Sequence, residues 1–128
     1  MSMFENFTAF NFSEGAPYIT VTKNGAAFNK SVVMKMGYPT YVLLLINAPQ
    51  KQIAIKACSQ ETPNATRFYN ADKKNNSLFV RWNAKDLLNT LKDITGWDYT
   101  KAGYKVLGTL IPEENAMLFN LSEAEILT

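Results

Sequence analysis

Six basic residues stand at or beside turns and helix openings: Lys23, Lys30, Lys73, Lys74, Arg81 and Lys85. Cations in such places project into water, where they grip phosphate by charge and release counterions in doing so. Charge is laid out unevenly along the chain. Between Gly15 and Gln60 lie five lysines and no carboxylate, and between Pro112 and Thr128 four carboxylates and no base, yet the net formal charge is only +2. Asymmetry of this kind makes a steering surface for an anionic partner. The competing reading of the same residues is lysines placed at solvated turns and helix ends for solubility.

The chemistry left out of the chain narrows the field further. Its 128 residues include no histidine and a single cysteine, Cys58. Ser-His-Asp and Cys-His machinery, His-ligated metal centres, four-cysteine zinc sites and iron–sulfur clusters are therefore excluded on this chain alone. The only adjacent carboxylates, Glu113-Glu114, fall in a turn, whereas paired catalytic carboxylates face each other across a cleft. No Gly-x-Gly-x-x-Gly and no Walker loop occurs among the six glycines. The expectation is a binding protein rather than an enzyme, with no catalytic residue, no cofactor and no metal site. Catalysis would need Asp/Glu, Lys, Tyr or Ser converging in a concave pocket. Cys58 has no base to activate it and reads as a small buried hydrophobe. A lone cysteine points to a reducing compartment, so the expected location is the cytoplasm. Residues 1–6 lack the basic-then-apolar pattern of a signal peptide, and the longest apolar run, Tyr41–Ile46, is too short to span a bilayer. A membrane partner is not expected.

The elements that must carry the cations come twice in the same order. Tyr18–Thr22 alternates and is rich in β-branched residues, and Asn24-Gly25 is a hairpin signal leading to a short return strand, Ala26–Phe28. Asn29 suits a helix N-cap, Val32, Val33 and Met36 share a face, and Gly37 suits the residue that ends the helix. Tyr41–Ile46, a turn at 47–51 and Gln52–Ala57 then form a second hairpin. In the second half Arg67–Tyr69 is a short strand, 70–76 a polar turn and Leu78–Trp82 the return strand. Asn83 is the expected N-cap, with Asp86 at the third helical position, where it meets the positive end of the helix dipole. Leu87, Leu88, Leu91 and Ile94 make the apolar stripe, and Gly96 ends it. Tyr104–Ile111, a turn at Pro112–Asn115 and the alternating Met117, Phe119 and Leu121 complete the unit. Trp97 is expected to pack as a lid, Trp82 toward the core and Arg81 toward solvent. The linker Ser59–Asn64 is polar and short, so the halves are expected to share one core.

These readings predict an α+β fold: two β-β-α-β-β units fused into one pseudo-twofold, barrel-like domain. Residues 1–17 form an aromatic-rich arm, 18–58 the first unit, 59–65 a linker and 66–128 the second unit, compact as a whole. The arm carries Phe4, Phe7, Phe10 and Phe12, with Glu5 and Glu14 as its only charges. It is expected to fold back over a sheet edge or dimer seam; the other readings are a partner-docking peptide and a stacking platform for single strands.

The order of elements, with Gly25 and Gly37 in roughly the right spacing and Tyr41–Ala57 as a final hairpin, resembles the swapped-hairpin family of bacterial transition-state regulators and antitoxins (AbrB-like). The likeness covers residues 18–57 well and 66–121 in topology. It implies a barrel of two intertwined units that grips DNA with basic residues around the turn and first strands. The family's usual arginine after the turn glycine is replaced here by Ala26, and Asn29-Lys30 stand where its helix-opening proline falls, so the resemblance bears on fold more than on DNA. Two functions follow: a nucleic-acid-binding regulator using the six cations on phosphates, or a protein-interaction module, with itself or another protein, using the arm and the acidic C-terminal stretch.

Overall fold

The computed structural model of the chain describes residues 3–9, 15–70 and 79–127. Its strands are β1 (Tyr18–Thr22), β2 (Gly25–Phe28), β3 (Tyr41–Asn47), β4 (Gln52–Cys58), β5 (Thr66–Arg67), β6 (Val80–Trp82), β7 (Gly103–Ile111), β8 (Ala116–Asn120) and β9 (Glu125–Leu127). Two α-helices, α1 (Lys30–Lys35) and α2 (Lys85–Thr95), follow β2 and β6. All pairings are antiparallel and link the strands into one strongly curled, half-barrel sheet in the order β5-β3-β4-β8-β7-β1-β2-β6, with β9 on β7. Each strand of residues 18–58 is bonded to one strand of its own half and one of the other: β1 to β2 and β7, β2 to β1 and β6, β3 to β4 and β5, β4 to β3 and β8.

Alternation decides which side faces in. Ile19 and Val21 of β1, Ile53 and Ile55 of β4, and Met117 and Phe119 of β8 are buried inside the curl. Phe28 sits among them, edge-to-face with Phe68, Trp82 and Phe119 at ring-centroid distances of 5.3, 5.0 and 5.9 Å. Helix α2 adds Leu88 and Leu91 to this core, with Leu87 and Ile94 partly buried beside them. Trp97 covers its end as expected, stacked on Tyr104 at 4.5 Å.

The caps explain where the helices begin and stop. Asn29 Oδ1 accepts from the N–H of Val32 (3.3 Å) and of Tyr18 (3.0 Å), while its Nδ2 donates to the Ala16 carbonyl (2.9 Å). The side chain thereby caps α1 and ties it to the start of β1. Gly37 ends α1 at φ +78, and the Tyr38 N–H donates to the Val33 carbonyl at 3.0 Å.

Several sequence expectations need correction. The cap of α2 is Ala84, in extended backbone and without a side-chain hydrogen bond, so Asn83 is not the N-cap and Asp86 lies one position nearer the helix start than expected. The return strand of the first hairpin begins one residue earlier than expected, at Gly25, whose φ is +134. The expected hairpin of 67–69 with 78–82 is absent among the described residues: β5 shrinks to two residues paired with β3, and β6 pairs with β2. The open edges of β3 and β2 take these segments, because pairing there lets Phe68 and Val80 enter the core. Strand β9, paired with Gly103–Lys105, lies in the stretch read only as acidic. In the arm, Phe4 and Phe7 pack on each other at 5.2 Å and stay 61% and 72% exposed; Phe10 and Phe12 lie outside the described residues. No helix among the described residues is long and apolar enough to cross a membrane.

Candidate binding site at the seam of the sheet

The two ends of the pairing order, β5 and β6, come together without a ladder of their own. Among the described residues one side-chain hydrogen bond bridges them: the Trp82 indole Nε1–H donates to the Arg67 carbonyl at 3.2 Å. The chain leaves β5 quickly because Phe68 turns inward, its N–H donating to the Thr40 carbonyl (2.7 Å) and its ring packing on Trp82 at 6.0 Å. On this edge β3 is paired only at Tyr41 and Val42 among the described residues. Beyond that point the seam widens into a cleft of about 420 Å³, lined by Leu44, Thr66, Arg81, Trp82, Asn83, Ala84 and Leu87.

Arg67 and Arg81 are the only arginines in the chain, and they flank this seam. Register turns both outward, Arg67 opposite Tyr41 and Arg81 opposite Ala27. Each guanidinium lies over a ring, Arg67 over Tyr41 at 5.8 Å and Arg81 over Phe79 at 5.3 Å. A planar guanidinium keeps its fork of N–H donors at the rim while its face rests on the ring, the arrangement suited to phosphate oxygens.

Four of the six cations singled out from the sequence lie along the β2–β6 ribbon. Lys23 is in the turn before β2 and Lys85 is the first residue of α2; both run off the ribbon end marked by the Ala26–Trp82 pair. Lys30 opens α1 beyond the other end, marked by Phe28–Val80, and Arg81 lies between. The groups at the two ends are thus separated by the ribbon's length, about 10–13 Å at 3.3 Å per residue. Lys73 and Lys74 lie outside the described residues. The runs Lys23–Ser31, Thr66–Asn70 and Phe79–Lys85 hold five cations and no carboxylate. Sequence reasoning missed Arg67 and Tyr41 as site residues. The available signal was that a chain with 11 lysines keeps just two arginines, which in a lysine-rich protein marks places where the fork matters.

The titrating groups with displaced pKa values sit at the far end of α2. Hydrogen bonds from the Thr100 hydroxyl (2.6 Å) and N–H (3.0 Å) hold the Asp98 carboxyl below its ordinary value. Burial, and then the neighbouring Tyr104, pushes the Tyr99 phenol up to about 12, while its hydroxyl donates to the Leu88 carbonyl at 2.8 Å. Among the described residues no group of three or more His, Cys, Asp and Glu is placed to hold a metal. Comparison with protein-family models, curated proteins and solved structures finds no match.

Proposed function

We propose that this chain is a small, non-enzymatic nucleic-acid-binding module that holds phosphates along the β2–β6 ribbon and across the seam. The observation that carries the reading is the convergence of both arginines on one seam, each seated on an aromatic ring, within runs that hold five cations and no carboxylate. Lys23, Lys30, Arg81 and Lys85, chosen from sequence, and Arg67, added from geometry, are the contacts; Lys73 and Lys74 belong to the same proposal. Titration of labelled oligonucleotides across a salt series tests it. Neutralising about four or five phosphates gives a log–log salt slope of roughly −3 to −4, and replacing both arginines by alanine lowers that slope by about 1.5. Absence of any complex with duplex or single strand at about 50 mM salt overturns the reading.

The resemblance to the swapped-hairpin regulators belongs to the same proposal. It is supported by the pairing order: exchanging β1–β4 for β5–β8 turns β1–β7 into β5–β3 and β3–β4 into β7–β8, and returns β2–β6 and β4–β8 to themselves. Two ladders have no counterpart: β7–β9, and β1–β2, whose equivalent is the Trp82–Arg67 hydrogen bond across the seam. A second reading, a protein-interaction module, is favoured by the exposed rings of Phe4 and Phe7. Deleting residues 1–14 changes oligomeric state or partner capture, with the fold intact, if that reading holds.

A further inference from the structure

We infer that the seam cleft receives one unpaired base, so that the partner is single-stranded nucleic acid; this rests on the nucleic-acid reading above and narrows it. Reading a duplex by its grooves takes a protruding helix or two-stranded ribbon that enters the major groove. Here, with Arg67 in the neighbouring strand β5, Arg81 instead lines a concavity. Its walls are carbon, from Leu44, Leu87 and the Trp82 ring, whose only N–H is already committed to the Arg67 carbonyl. Asn83 adds an amide and Thr66 a hydroxyl to the same lining. Apolar walls, one of them an indole, with a few polar groups match the two surfaces of a base: its faces stack and its edge is read by hydrogen bonds. In a duplex both are hidden, by neighbouring bases and by the pairing partner. The cleft, at about 420 Å³, has room for one base and part of its sugar. Arg81 in the lining, and Arg67 next to Thr66 in β5, then meet phosphates of that strand, the charge complementarity that selects this occupant over an apolar peptide.

The experiment uses the full chain and a labelled mixed-sequence oligonucleotide of roughly 12 nucleotides, single-stranded or annealed to its complement, within the site sizes known for single-strand binders. Fluorescence anisotropy reads affinity at about 50 mM salt. Expected is a preference of about tenfold or more for the single strand. Ala84→Phe fills the cleft from an exposed position in extended backbone without removing any core side chain. It removes the preference and leaves duplex affinity unchanged, while the melting curve stays that of the parent. Asn83→Ala provides an independent variant that weakens the single strand alone. Equal or tighter binding of the duplex, with Ala84→Phe silent, overturns the inference and leaves the nucleic-acid reading standing. Failure of both oligonucleotides overturns both. Binding of a synthetic peptide of residues 1–14, abolished by Ala84→Phe, with neither oligonucleotide bound, reassigns the cleft to the arm and overturns both as well.

Discussion

Replacing Gly25 by alanine is the sharpest test of how β6 is held. A β-carbon on Gly25 lies 2.7 Å from the Trp82 carbonyl oxygen, 3.3 Å from its carbon and 3.4 Å from Asn83 Cα, all main-chain atoms that no rotamer change can move. Its φ of +134 adds strain for any residue with a side chain. The strained backbone costs about 1–3 kcal/mol. Pushing β6 off its three-residue pairing with β2 resembles overpacking a core and adds about 1–3 kcal/mol. A loss of about 3–4 kcal/mol is thus expected, which for a chain of this size lowers Tm by roughly 10–15 °C. Gly37→Ala is the matched control: its φ is +78, but nothing lies within 4 Å of the added carbon, so only the left-handed backbone costs, about 1–2 kcal/mol. Thermal unfolding of both variants, followed by circular dichroism and calorimetry, separates clash from strain. If Gly25→Ala melts within about 3 °C of Gly37→Ala, the close approach of β2 to the end of β6 is refuted.

Three further outcomes follow from described contacts. Asn29→Ala loses two accepted hydrogen bonds and one donated, and chemical denaturation should register about 1–3 kcal/mol; Asn29→Asp keeps the acceptor and recovers most of it. Gly108→Ala pushes a carbon to 2.7 Å from Met117 Sδ and 2.8 Å from Phe119 Cε1, and should cost about 1–3 kcal/mol by the same assay, reduced in so far as the thioether swings away. The Tyr99 phenol, ordinarily 10.0 and raised to about 12 by burial, keeps its proton in the fold after the unfolded chain has lost it. Its contribution is complete below pH 10 and disappears as pH rises to about 12, so the stability gap between parent and Tyr99→Phe is constant below pH 10 and narrows above it in urea titrations.

What local sequence carries, it carried well. Asn29 and Gly37 bracket α1, and the alternation of Gln52–Ala57 and of Met117–Leu121 puts Ile53, Ile55, Met117, Phe119 and Leu121 inside, because caps and period-two patterns are decided by a residue and its near neighbours. Pairing across the halves was beyond such reasoning. Nothing in Arg67-Phe68-Tyr69 announces that two residues will bond to β3 and the third will leave to fill the core, since that depends on which distant edge is open. Asn83, a good capping residue by type, does not cap because the extended backbone runs on through Ala84 before the helix begins. Of the candidate site, the lysines and Arg81 were visible as charge at element ends. Arg67 was hidden inside a strand guess, and the cleft between two sheet edges has no linear signature at all.

The cross-half bonding of every strand in residues 18–58 has a consequence for how the polypeptide tolerates being cut. A protease nick at 59–65 would leave the molecule assembled, for no ladder runs through that stretch. Produced separately, however, the pieces would each expose half-satisfied strand edges and an uncovered interior, and neither would hold its shape in isolation. Mixed, they would complement each other. The chain is then a natural split protein, whose reassembly from two inert fragments could report on whatever brings them near.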